Sequence, residues 1–384
     1  MFQALFNSLS GLFSFSRSLN TVSDNISNMN TPGFRGSDTF FSNIDGNRGA
    51  RISGEGMRTQ AGDIRQTSNP TDLAVSGDGY FVLRDKEGNL YYTRAGQFRF
   101  NGDGILTDSV NEYQVMGIDA AGNLTPVDYT SYRMLPASAT TAVKLTGNLA
   151  PGAANTVTNG ITVYDANGTA HTLTVKFSSK TNSPPTFEAV VTDATGATLS
   201  TSIIAFNVDG TPQVGSTEIV LSPVYGGTTQ TITLKLGTAG ALDGLRSLMG
   251  VANTVTSKIE DGHPALGVTG MKFDDKGVLQ LTYSGAEKRQ GPQLALAIFP
   301  NEGELRLSGG RLISGATVTQ REFGRAGEGR FGRIAGNSLE MSNVNLTQEF
   351  ADMIIIQRGY QASSRVMTVS NEMLDQLYNS TRGG

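Results

Sequence analysis

The sequence predicts a multidomain, mainly β protein with a long amphipathic helix at each end. Three observations carry that reading. Apolar residues recur every seventh position over the first thirty and last forty positions and lose that spacing between them. The middle consists of short apolar runs bounded by Gly, Asn and Asp, the pattern of strands joined by tight turns. Within those strands lies a stretch rich in Thr and poor in charge, a composition shift that marks a separate β domain. The 384 residues suffice for two or three domains, and 47 glycines, about 12% against a usual ~7%, fit a turn-rich chain.

The first helix is predicted from Phe2 to Met29, with Leu5, Leu12, Leu19 and Ile26 on one row and Phe15, Val22 and Met29 on a second; Ser8 breaks the pattern. Asn30-Thr31-Pro32-Gly33 ends it, because proline disfavours helix in the residue before it and glycine permits the turn. At the far end Asn345 is a candidate N-cap with Gln348 three residues on, and Leu346, Met353, Tyr360, Met367 and Leu374 fall every seventh residue. Phe350, Ile354, Ile356, Met373 and Leu377 widen the stripe. Gly359 costs a helix interior about 1 kcal/mol relative to Ala, which points to a close packing contact or a local weakness there. Periodicity alone leaves two roles open: a pair of helices covering a globular core, or an oligomerisation device.

Between the helices, Gly79–Leu83, Leu90–Thr93 and Leu294–Phe299 read as strands. The alternating segment from Ile161 to Phe177 folds back at Asn167-Gly168 as a hairpin, and Asp274-Asp275-Lys276-Gly277 makes another between Met271–Phe273 and Val278–Leu281. The Thr-rich domain is bounded near residues 146 and 263.

Composition and motifs exclude much. The chain has no Cys, so neither disulfides nor thiolate metal sites, and no Trp. A net charge of -4 with only 17% charged residues offers no footprint for nucleic acid. Only two histidines exist, His171 in the predicted hairpin and His263 beside Pro264, which removes zinc sites and histidine triads. Gly327–Gly332 matches G-x-G-x-x-G but opens no helix and reads as a loop; Asp274 and Asp275 are turn residues; the Asn167-Gly168-Thr169 sequon carries no weight without a secretion signal. No catalytic constellation, cofactor or metal site is expected. The N-terminal twenty residues lack the basic region and continuous apolar core of a signal peptide, and no apolar run is long enough to span a membrane.

The segment Ser23-Asp24-Asn25-Ile26-Ser27-Asn28-Met29-Asn30-Thr31-Pro32-Gly33-Phe34-Arg35 resembles the signature of the bacterial flagellar rod and hook axial proteins, with Asn25, Asn28, Thr31, Pro32, Gly33 and Phe34 as its motif positions. Asp72–Phe81 and Tyr92–Phe98 are similar to the entry of that family's first β domain, and Ser338–Asn345 and Gln357–Gln361 to its C-terminal motifs.

The resemblance implies a non-enzymatic subunit that assembles with copies of itself into a tube. Residues 1–30 and 344–384 would form paired helices, a coiled coil lining the inner tube. Residues 31–70 and 337–343 would be linkers, 71–145 and 264–336 a first β domain, and 146–263 an outer β domain inserted in it. That inserted stretch favours a hook subunit, a flexible universal joint between motor and filament, over a shorter distal rod subunit. The different-class alternative is a surface adhesin that binds glycans. The implied partners are further copies, the distal rod, hook cap and hook-filament junction proteins and the flagellar type III export apparatus, with no nucleic acid and no membrane insertion. The implied location is the extracellular flagellum, reached without a Sec signal. Assembly falls to Leu5, Leu12, Phe15, Leu19, Val22 and Ile26 on the first helix and to Leu346, Phe350, Met353, Tyr360, Met367 and Leu374 on the last.

Overall fold

The structure, a computed structural model, describes residues 2–44, 49–152, 156–285, 287–302, 305, 307–308, 311–314 and 320–382. It is mainly β, with a long helix at each end: α1, Phe2–Ser27, and α2, Leu346–Arg382. α1 stops two residues short of the predicted Met29 because its last turn tightens. The Asn28 N–H is shared between the Asp24 and Asn25 carbonyls, and the Met29 N–H donates to Ile26. α2 begins where its cap predicts, the Asn345 side-chain oxygen accepting the Thr347 N–H at 3.0 Å and that of Gln348 at 3.4 Å. The Gln348 side chain does not return to the cap; it donates to Asp352.

The chain divides into two compact units, one of Met1–Tyr132, Thr269–Thr282 and Ala286–Gly384, the other of Arg133–Val268 and Tyr283–Gly285. In the first, a ten-stranded sheet is built around Tyr80–Arg84, which pairs with Leu90–Thr93, Gln114–Ile118 and Ala295–Ile298. The apolar run in the last of these is unbroken because all four residues are buried between neighbours on either side. Tyr80, Val82, Tyr92, Met116, Ala297 and Phe299 form the core, with Tyr92 edge-on to Phe299 at 4.9 Å. Distant parts of the sequence are then zipped together. Leu73–Ser76 pairs with Arg333–Gly336, and Ile64–Gln66 with Ser338–Glu340, both antiparallel. A hairpin of Ser37–Asn43 and Ala50–Met57 lies against α1, with the Ser14 hydroxyl donating to the Ala50 carbonyl.

The second unit holds a four-stranded antiparallel meander of Thr156–Tyr164, Ala170–Asn182, Pro185–Thr192 and Thr198–Ala205. A five-stranded sheet includes Glu218–Leu221, Ile232–Lys235 and Ala142–Asn148. Strict alternation of burial along Pro185–Thr192 shows why the strand forms: one face points inward and the other carries Thr and Glu. Val143, Val163, Val175, Phe177, Phe187 and Leu234, from both sheets, share one core.

One turn recurs in both units, at 85–89, 101–105, 119–123, 165–169, 193–197, 207–211 and 274–278. In each, the first N–H donates to the fifth carbonyl and the glycine N–H donates back to the first. The fourth residue is always Gly, with φ between 69° (Gly277) and 93° (Gly88). Asp119, Asp165, Asp193 and Asp274 each accept the N–H groups two and four residues on. Asn167-Gly168 therefore closes its predicted hairpin as the last two residues of a three-residue loop, not as an isolated two-residue turn. Gly327 and Gly329 lie in a turn between the strands Glu322–Arg325 and Arg333–Gly336.

Candidate self-assembly surface

The heptad rows of α1 predict an apolar contact line, yet its fully buried positions are Ser8, Gly11, Ser14, Ser18, Val22 and Asn25. The reason is close approach. A Cβ on Gly11 would lie 2.9 Å from the Ser363 hydroxyl, and one on Gly359 would lie 2.6 Å from the Phe15 ring. With Gly11 beside Ser363 and Phe15 beside Gly359, α1 and α2 run antiparallel. Where the helices touch, a small residue sits opposite each contact, Gly11 against Ser363 and Gly359 under the Phe15 ring, while Ser14 and Asn25 are buried against the hairpin. Leu5, Leu12, Phe15, Leu19 and Ile26 are accordingly half-buried, as are Leu346, Met353, Met367 and Leu374, whereas Phe350 and Tyr360 are exposed. The Ser8 exception in the sequence pattern is thus a buried position, its hydroxyl donating to the Ala4 carbonyl.

Outside that line both helices present large apolar groups to solvent. Phe13 is 67% exposed and Phe6 61% on α1; Ile355 is 65% exposed on α2, with Ile354, Met373 and Leu377 near half. Taken from the Gly11–Ser363 level, α2 continues about 15 Å past the start of α1.

At the other end of the pair the helices are rooted in buried charge. Glu349, in the first turn of α2 and fully buried, accepts from Arg58 Nη1 at 2.6 Å and from Asn25 Nδ2 at 3.1 Å. Arg58 also reaches Asp38 at 2.7 Å, a hydrogen bond that raises its pKa. Asn25 exchanges hydrogen bonds with the backbone of Ser37, tying helix to hairpin. A second cluster centres on Glu340, which binds Arg35 at 2.9 Å, Arg94 at 3.3 Å and the Gly62 N–H at 3.1 Å. Arg35 is 1% exposed and also donates to the Thr59 and Gln60 carbonyls. Burial pulls its pKa down, opposed by the Glu340 carboxylate. A groove of about 290 Å³ opens beside this root, lined by Val22, Phe41, Arg58, Asp352 and Ile355 among others.

Sequence profiles of flagellar axial proteins match along the chain: Flagella basal body rod protein over residues 5–35, Flagellar hook protein FlgE/F/G D1 domain over 74–176, Flagellar basal body protein FlaE D2 domain over 134–301, and Flagellar basal body rod FlgEFG protein C-terminal over 335–380. The flagellar hook protein FlgE of Brucella suis is 31% identical over 398 residues, covering 97% of this chain and 98% of its own length. The chain belongs to the flagellar hook protein family. FlgE of Borreliella burgdorferi is 27% identical over 98% of this chain and 99% of its own, and that of Salmonella typhimurium 26% over 97% and 98%. The crystal structure of the Helicobacter pylori hook protein FlgE2 shares the fold, with a TM-score of 0.52 at 14% identity over 72% of this chain and all of that one.

The positions of the hook-family signature have distinct local duties. Asn25 belongs to the buried root. Asn28 Nδ2 donates to the Asp24 carbonyl and Asn28 Oδ1 accepts the Thr31 hydroxyl, closing the end of α1. Pro32 is half-buried within that turn. Gly33 has φ 72°, and a Cβ there would stand 2.2 Å from the Ala95 N, so only glycine fits. Phe34 is buried at 6% exposure. The charged partners Asp38, Arg58, Arg94, Glu340 and Glu349 are absent from the predicted site residues. Lone charges carry no periodicity, and the only signal for Glu349 is an acidic residue in the first turn of α2. His171 lies 3.2 Å from Asp165 and His263 faces the Pro264 carbonyl; among the described residues no three His, Asp or Glu side chains gather as a metal site.

Proposed function

We propose that the chain is a structural subunit that polymerises with its own copies into the tube of the flagellar hook, the terminal helices acting as a coiled-coil pair in its wall. The observation that carries this is the large apolar surface left on both helices after they have packed on each other, with Phe13 and Ile355 each about two-thirds exposed. Heterologous contacts that do not close on themselves generate an indefinite tube, and a stripe unsatisfied within one subunit supplies them. Residues 146–263 are read as the outer domain inserted in the first β domain, carrying the softer subunit contacts that let the joint bend. Distal rod, cap, junction and export proteins are its partners, and the extracellular flagellum is its place.

The test is Phe13→Asp and Ile355→Asp. Because both sites are solvent-exposed in the single subunit, thermal melting of the monomer should stay within about 0.5 kcal/mol of the parent. In a tube each carboxylate would be buried in every subunit, so polymers should vanish from electron micrographs and motility should be lost. Normal tubes from both variants would overturn the assignment of these helices.

A further inference from the structure

In the second unit a small hairpin, Val224–Tyr225 paired with Thr228–Thr229, turns on Gly226 and Gly227, both at positive φ. It lays the Tyr225 ring flat on His171, centroids 3.8 Å apart and planes 14° from parallel. Beside it opens a cavity of about 230 Å³, lined by Ala139, Asp165, Asn167, Tyr225, Thr228 and Gln230 among others. At about 30 Å³ of liquid per molecule, that is room for roughly seven waters, the scale of a single sugar ring.

The chemistry of the lining narrows the ligand. No Lys or Arg lines the cavity, so an anion finds no counter-charge. Its one carboxylate is already engaged: Asp165 Oδ1 accepts the Asn167 and Thr169 N–H groups at 2.9 and 2.8 Å, and Oδ2 faces His171 at 3.2 Å. Those same bonds hold the Asp165 pKa down, led by the Thr169 N–H. What remains is neutral and polar. Gln230 is fixed by donating to the Thr140 and Tyr164 carbonyls, which leaves its amide oxygen as an acceptor. Thr228 and Asn167 offer a hydroxyl and a carboxamide, and the Tyr225 hydroxyl is buried without a hydrogen-bond partner. Such a group calls for an explanation, as do Asn159 Nδ2 and Arg246 Nε elsewhere in the unit.

We propose that this cavity binds one neutral hexopyranose ring, either as a free sugar or as the terminal residue of a glycan. The ring's hydroxyls pair with the carboxamides, the threonine hydroxyl and the Tyr225 phenol, and the site is independent of polymerisation.

The chain has only two histidines, so the full-length protein carries its own reporter: the His171 ring resonance senses the site through the stacked Tyr225 ring. Titration with glucose, galactose, mannose and N-acetylglucosamine should move the His171 signal saturably for at least one sugar, with Kd on the order of 1–10 mM. Tyr225→Phe keeps the stacked ring and removes only the hydroxyl; it should weaken that sugar about tenfold. An oligosaccharide ending in the same ring that binds at least about tenfold tighter identifies a glycan as the ligand, and equal affinity identifies the free sugar; either result upholds the site. The proposal falls if no sugar moves His171 at about 100 mM, if His171 shifts without saturation, if Tyr225→Phe binds as the parent does, or if choline or a sugar phosphate binds while neutral sugars do not.

Discussion

Gly33 shows how one residue decides the path of the chain into the β region. Its positive φ and the Ala95 backbone 2.2 Å from any added Cβ make Gly33→Ala strained twice over, by conformation and by contact. The expected cost is at least about 2 kcal/mol, read as a lower urea midpoint at unchanged slope. The aspartates of the recurring turn act through charge. Asp119 is held below the ordinary carboxylate range, first by the Asn123 backbone N–H, and Asp193 likewise, first by the Thr195 hydroxyl. A depressed folded-state pKa contributes stability above the unfolded value, near about 3.9, and that contribution is lost as pH falls through the folded value below it. Asp119→Asn keeps the acceptor oxygen but not the charge. Its melting temperature should therefore fall less steeply than the parent's below about pH 4. An unchanged acid slope would deny the turn carboxylate this role.

Among the elements, the helices were legible and their contact was not. Seven-residue spacing locates α1 and α2 and their caps, because a helix repeats its own face along the sequence. It marks Leu12 and Leu19 as the seam, whereas Ser8, Gly11 and Ser18 are the buried positions; hydrophobicity is a poor guide where a glycine makes the contact. Gly359 was the one visible clue. Gly359→Leu should push Phe15 away and separate the helices, lowering helicity by circular dichroism and blocking polymer growth while the β core melts normally. In the root, Asn25 was marked as a signature position, but its partner was not readable, since Asn25 and Glu349 meet across 324 positions and neither repeats. Glu349→Ala strips a buried partner from Arg58 and Asn25 and should cost about 3–5 kcal/mol, measured by denaturant unfolding. The strands of Tyr80–Arg84 and Ala170–Asn182 were readable from alternation and turn residues; the sheet order that brings Leu73–Ser76 to Arg333–Gly336 was not, because pairing partners are set by tertiary packing.

At the scale of the whole molecule, the proposed outer domain can be tested by excision. Removing residues 146–263 and bridging the gap with a short linker should leave tubes that form but differ in curvature when imaged by electron microscopy. Tubes of unchanged curvature would place compliance elsewhere. The ion-paired root, meanwhile, ties early and late parts of the sequence together. Its carboxylates Glu340 and Glu349 come late in the sequence, while the guanidiniums they neutralise, Arg35, Arg58 and Arg94, come from the first quarter of it. A chain cut short before residue 340 leaves the buried Arg35 and Arg94 without their carboxylate, although Arg58 keeps Asp38, and it cannot close the strand pair of Ile64–Gln66 with Ser338–Glu340. A chain ending before residue 340 also lacks α2 and with it half of the proposed assembly surface, so the expected outcome is that such chains, mixed with full-length subunits, are left out of the polymer pellet.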